Sequence, residues 1–136
     1  MKKQILSREA PTIRHAVLVL VLLISTVALG LAQEMIQADI PFSFIAAGKT
    51  LPAGTYTFQE AELGTMMSVR NAKTGEVNMV SVLTRLGPRS TKESEVVFDV
   101  VGNDHYLAEV HMVTIDGYAF KAAPGKHTHA GVKGKK

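Results

Sequence analysis

The chain is predicted to fold as an all-β domain, a small antiparallel β-sandwich or barrel, preceded by an N-terminal signal-peptide helix. Three observations predict this class. Beyond residue 32, apolar and polar residues alternate with a period of two in short runs. Clusters of Gly, Pro, Asn and Asp separate these runs, as turns do. Nothing there has a helical period or repeats at roughly 20–50 residues, which argues against a solenoid.

The first segment, 1–32, has the three parts of a secretory signal peptide. Four basic residues precede an uncharged run over 16–32, and this run ends in the small residues Gly30 and Ala32. We therefore predict cleavage between Ala32 and Gln33 and an exported protein, periplasmic or extracellular. The alternative is an uncleaved anchor, because the apolar run is longer than the usual signal core of about 7–15 residues. In that case the segment is also the chain's contact with the membrane.

The remaining chain divides into a β domain over 33–121 and a flexible basic tail over 122–136, rich in His, Gly and Lys. Acidic residues outnumber basic ones over 33–120, whereas the tail is basic. This distribution argues against a nucleic-acid partner. The absence of cysteine excludes thiol catalysis, Cys-ligated zinc and iron–sulfur clusters.

Six to eight short strands are predicted from the alternation, and turn residues separate most of them. Pro41 lies in the first strand and cannot donate to a ladder, so we expect that strand to be an edge or to bulge there. Leu51-Pro52-Ala53-Gly54 and residues 71–75 have turn chemistry. The predicted strands are 33–47, 55–59, 66–70, 76–84, 95–101, 105–115 and 118–121.

The hairpin over 95–115 gives the strongest local signal. Gly102-Asn103-Asp104 connects two alternating runs, as a three-residue hairpin loop does. The expected register places Glu95 near His111, and Asp99 near His105 or Leu107.

Three motifs together resemble a group of small exported bacterial proteins of unknown function. They are PFSF at 41–44, LPAGTY at 51–56 and VVFDVVGNDHYLAEV at 96–110. The resemblance covers most of 38–112. It implies an all-β exported domain and no particular activity, so no functional residue follows from it.

The histidines are the candidate metal ligands. His127 and His129 form an H-x-H pair, and imidazole binds divalent transition metals. His105 and His111 are further candidates, because alternate residues of one strand share a face. The competing interpretation is that all four are ordinary residues of a polar sheet face.

Enzymatic chemistry is weakly supported. The late carboxylates, among them Glu95, Asp99 and Glu109, have no predicted cleft, which a glycosidase needs. No nucleophile-elbow, phosphate-binding or dinucleotide-binding glycine pattern is present. The three tyrosines fit the core side of their strands better than a sugar-binding patch.

We therefore expect no catalytic residues and no bound cofactor. The leading hypothesis is an exported, non-enzymatic binding or structural module of the cell envelope or the extracellular space. Its partner there is unknown, and exposed strand edges also favour a homo-oligomer. The alternative is a secreted protein that binds a metal or a small ligand through surface and tail histidines.

Overall fold

The computed structural model describes residues 33–89, 92–114, 116–121 and 123–135. These residues form eleven strands and one short 3₁₀ turn, Glu62–Gly64. The predicted all-β class is confirmed, and the predicted signal peptide, 1–32, lies outside the described residues. The strands are β1 Met35–Ile40, β2 Phe44–Ala46, β3 Lys49–Leu51, β4 Gly54–Ala61, β5 Met66–Asn71, β6 Val77–Ser81, β7 Thr84–Leu86, β8 Glu95–Val101, β9 Asp104–His111, β10 Gly117–Ala119 and β11 Thr128–Lys133.

The strands form two sheets rather than one closed barrel. The first sheet is antiparallel, with the order β1-β4-β5-β6. The second sheet has the order β11-β8-β9-β10-β7 and is mixed, because β2 pairs with β3 and also runs parallel to β9. Both sheets contribute side chains to one apolar core, an arrangement consistent with a β-sandwich.

The first strand shows how alternation produces this core. Ile36, Ala38 and Ile40 in β1 are buried, and the residues between them are exposed. Pro41 follows immediately, and the chain resumes as β2 in the other sheet. The predicted edge position is confirmed, since β1 pairs with β4 alone among the described strands.

Two predicted turns are present, and each is fixed by a side chain. The Tyr56 hydroxyl donates a hydrogen bond to the carbonyl of Pro52, 2.7 Å away, and so ties β4 to the turn before it. Asn71 Oδ1 accepts hydrogen bonds from the backbone amides of Lys73 and Thr74 at 2.9 and 3.0 Å. This side-chain acceptor replaces a backbone partner in the turn that leads to β6.

A polar cluster joins the two sheets at one side. Tyr118 in β10 is fully buried, and its hydroxyl donates a hydrogen bond to Glu60 in β4. Arg85 in β7 pairs with the other oxygen of Glu60 at 3.2 Å and lies over the Tyr118 ring. Burial, followed by the hydrogen bond to Glu60, raises the pKa of Tyr118 to about 12.

The stretch expected to be a flexible tail contains β11, which pairs along its whole length with β8. Its alternation is weak, because the side chains that turn inward are small and none of its residues is fully buried. Val132 nevertheless packs against the core. Beyond β11, the backbone amide of Lys135 donates to the carbonyl of Gln37 in β1 at 2.7 Å.

Candidate functional site

The candidate site lies on the outer face of the second sheet, where β11 pairs with β8. Asp99 in β8 is directly opposite His129 in β11, so the two side chains project from the same face. The core-facing neighbour of Asp99 is Phe98, which is fully buried. Backbone pairing of two adjacent strands therefore sets the spacing of Asp99 and His129.

Asp99 is a buried carboxylate, with only 3% of the residue exposed. The backbone amide of Ala123 approaches Oδ2 at 3.4 Å, at the long end of hydrogen bonding. The other oxygen, Oδ1, is buried and has no hydrogen-bond partner among the described residues. A carboxylate out of water is costly unless a partner compensates its charge, so Oδ1 calls for a positive neighbour.

Two imidazoles approach this oxygen. His129 Nδ1 is 2.9 Å from Asp99 Oδ1, and His127 Nε2 is 3.6 Å from it. The first distance suits an ion pair with a protonated ring, although Oδ1 forms no hydrogen bond with the described residues. The two rings are 5.1 Å apart and inclined at 74°, so both nitrogens face the carboxylate without stacking.

The orientation of His127 is set by its own loop. Nδ1 of His127 is 3.1 Å from the carbonyl oxygen of Gly125. A carbonyl only accepts, so Nδ1 carries the proton in this contact. In the neutral imidazole this leaves the lone pair on Nε2, the nitrogen that faces Asp99.

Asp99, His127 and His129 thus bring three ligand atoms within 4.8 Å of one another. Among the described residues, no other group of three or more His, Cys, Asp or Glu side chains is as close. One carboxylate oxygen and two imidazole nitrogens form a donor set that divalent first-row transition metals accept.

His105 and His111, the other two predicted ligands, are not part of this group. A β-bulge in the hairpin explains the separation of His105. Val97 pairs with Glu109 and Phe98 with Leu107, so Ala108 is an extra residue in β9. This insertion reverses the alternation, so His105 does not share a face with His111; it stacks on Phe42 with ring centroids 3.8 Å apart.

His111 lies on the outer face but is engaged elsewhere. It is opposite Glu95, as the predicted register requires, and is 5% exposed. Its Nε2 is 2.6 Å from Glu109 Oε2. Arg89 pairs with Glu95 at 2.5 Å and approaches Glu109 at 3.7 Å. Arg89 therefore pairs with both Glu95 and Glu109, and His111 contacts Glu109, on the outer sheet face.

A pocket of about 510 Å³ opens where β6 of the first sheet meets β2 and β9 of the second. Its walls are mainly apolar, and Lys121 is the one charged residue among the described residues that line it. Tyr106 is half-buried at this pocket, whereas Tyr56 and Tyr118 are in the core as predicted. The lining residues are Ile45, Ala47, Gly48, Val80, Ser81, Tyr106, Leu107, Phe120, Lys121 and Pro124.

Asp99 is the residue that the predicted ligand set lacks. It is the single charge inside VVFDVV, a run that is otherwise apolar. A lone acid in such a run is a signal for a carboxylate in need of a partner. The contact of Asp99 with His127 and His129 was not predictable, because it depends on β11 being a strand that pairs with β8.

Comparison with known proteins yields no match: no protein-family model, curated protein or solved structure resembles this chain significantly. Within the described part of the chain, no helix has the length and hydropathy needed to cross a bilayer.

Proposed function

We propose that the protein is an exported, non-enzymatic β domain that acts by binding, as a module of the cell envelope or the extracellular space. The leader over 1–32 supports export, because its basic start, apolar run and small residues fit a secretory signal. We also propose kinship with the small exported bacterial proteins that share its PFSF and LPAGTY motifs.

The residues that line the 510 Å³ pocket are the reason for proposing binding rather than catalysis. Its volume is in the range of small-molecule sites, which span about 300–1,000 Å³. Acid–base chemistry needs titratable groups that converge on a cleft. The hairpin carboxylates Glu95 and Glu109 line a second pocket of about 380 Å³, where Arg89 pairs with both. The larger pocket instead offers apolar walls and the ammonium group of Lys121. These features suit a small ligand with an apolar body and one negatively charged group.

Export is tested by expressing the full sequence in bacteria, fractionating the cells and measuring the intact mass. A chain that begins at Gln33 in the periplasm or medium supports the proposal. Cytoplasmic protein that retains Met1 or Lys2 contradicts it, and membrane-bound protein of that mass supports the anchored alternative.

Binding is tested by titration with a fluorescent apolar anion. Ser81→Trp fills the pocket and should weaken probe binding, whereas Met79→Trp is the matched control, on the same strand but outside the lining. Equal binding by both variants removes the pocket from the proposal. Turnover of any substrate in a hydrolase panel by the wild-type protein contradicts a non-enzymatic role.

A further inference from the structure

We propose that Asp99, His127 and His129 form a binding site for a divalent transition-metal ion. The first support is the buried oxygen Oδ1 of Asp99, which has no hydrogen-bond partner among the described residues and faces both imidazoles. A cation between the three groups supplies the charge compensation that neutral imidazoles do not. None of the three groups lines the proposed pocket, although Tyr106 of its wall is the β9 partner of Asp99.

The spacing of the three groups suits such an ion. Tetrahedral ligands at the bond lengths of zinc lie about 3.3 Å from one another. The carboxylate–imidazole distances of 2.9 and 3.6 Å lie on either side of this value. All three ligand atoms lie within 4.8 Å of one another, so the imidazoles have to converge by side-chain rotation when an ion binds.

The surroundings of the ligands are also those of a metal site. The Gly125 carbonyl accepts the Nδ1 proton of His127 and leaves Nε2 free to coordinate. A histidine ligand commonly has such an outer partner, which fixes its tautomer and ring orientation. The amide of Ala123 approaches Oδ2 of Asp99 and leaves Oδ1 as the coordinating atom.

The two strands provide the rigidity that an isolated H-x-H pair lacks. His129 and Asp99 occupy paired positions on β11 and β8, and His127 precedes β11 by one residue. His129 remains 62% exposed at its side chain, so an ion reaches the site directly from solvent. Three protein ligands leave the fourth position to water or to a donor group of a partner.

The test is calorimetric titration of the metal-free protein, isolated after expression of the full sequence, with Zn²⁺ alone. We expect one ion per chain. Asp99→Asn, which preserves shape but removes the charge, and His127→Ala and His129→Ala should each weaken binding by at least about 10-fold. His105→Ala is the control, because His105 is outside the group and should leave affinity unchanged.

Circular dichroism of each metal-free variant establishes folding, and the exposed His129→Ala preserves the test if Asp99→Asn does not fold. Substitution of Co²⁺ provides a second readout, since its visible spectrum reports imidazole and carboxylate coordination. Absence of saturable binding in the wild type overturns the proposal. Binding that survives Asp99→Asn also overturns it, because it indicates chelation by the histidine pair alone.

Discussion

Tyr118 combines a fully buried ring with a hydroxyl that donates to a carboxylate. Burial removes water from the hydroxyl, and ionisation would place a second negative charge beside Glu60. Both effects favour the neutral phenol, which is why its pKa rises to about 12. The side chain therefore stabilises the fold only while it keeps its proton.

This linkage predicts a loss of stability in alkali. Below pH 10, the ordinary pKa of tyrosine, both folded and unfolded chains keep the proton. Between about pH 10 and 12 the unfolded chain ionises first, so the free energy of unfolding falls, by on the order of 2 kcal/mol. Urea melts across this range should show a smaller fall for Tyr118→Phe. Tyr106→Phe is the control, and an equal fall in wild type and Tyr118→Phe contradicts the assignment.

Asp39 provides a second residue-scale prediction. A hydrogen bond from the Lys135 ammonium, followed by one from Thr55, lowers the pKa of this exposed carboxyl below 3.8. The ionised Asp39 carboxylate therefore stabilises the fold above about pH 3.8, its ordinary pKa. This stabilisation is lost as the pH falls through the lowered pKa of the folded protein. Lys135→Ala should raise the pKa of Asp39, as measured by NMR titration of its carboxyl carbon. Lys126→Ala should not change it.

At the scale of elements, β11 completes the second sheet by pairing with β8. Its inward residues are few, and Val132, opposite the buried Val96, makes the main apolar contact with the core. The backbone ladder, the apolar contact of Val132 and the polar contacts of His129 and Lys133 therefore hold the strand.

Val132→Asn should therefore lower the free energy of unfolding by roughly 1–3 kcal/mol, because it places an amide against the core without a partner. Lys133→Gln, one residue along the strand on the solvent face, is the control; it removes only an exposed ion pair with Glu93 and should cost less stability than Val132→Asn. Chemical denaturation measures both. A Val132→Asn protein as stable as wild type would show that β11 contributes no side-chain packing.

Elements with regular alternation were predictable, and those that break it were not. Ile36, Ala38 and Ile40 predicted the buried face of β1, because burial on one face imposes a period of two. The single strand predicted over 33–47 was wrong, since the chain leaves the first sheet at Pro41 and resumes as β2 in the second. The same reasoning was wrong for β9, because Ala108 is an extra residue there and reverses the alternation beyond it. His105 therefore does not lie with the other predicted metal ligands. The strand β11 was not predicted, because its pairing with β8 stabilises it and its own sequence alternates only weakly.

At the scale of the whole molecule, the two sheets meet along the edge formed by β1. The amide of Lys135 donates to the Gln37 carbonyl there, and its ammonium group pairs with Asp39 at 2.8 Å. This short segment covers part of an edge whose unpaired groups would otherwise be open to another chain.

Truncation after Lys133 should therefore promote self-association. Removal of residues 134–136 uncovers the β1 edge and removes the Asp39 pair, so we expect dimers or larger species in sedimentation velocity at concentrations where the full chain is monomeric. Truncation after Lys135 removes neither contact and is the control. A monomeric shorter chain would show that Pro41, which ends the strand, protects the edge by itself.

β11 follows the other ten described strands along the chain, and its partner β8 also pairs with β9. During synthesis, β8 can pair with β9 before β11, its partner on the other side, has been made. Asp99 is then in place, solvated and without its imidazoles, until His127 and His129 follow. The group of Asp99, His127 and His129 is therefore complete only once β11 has paired with β8. Metal binding would then report the pairing of this last strand.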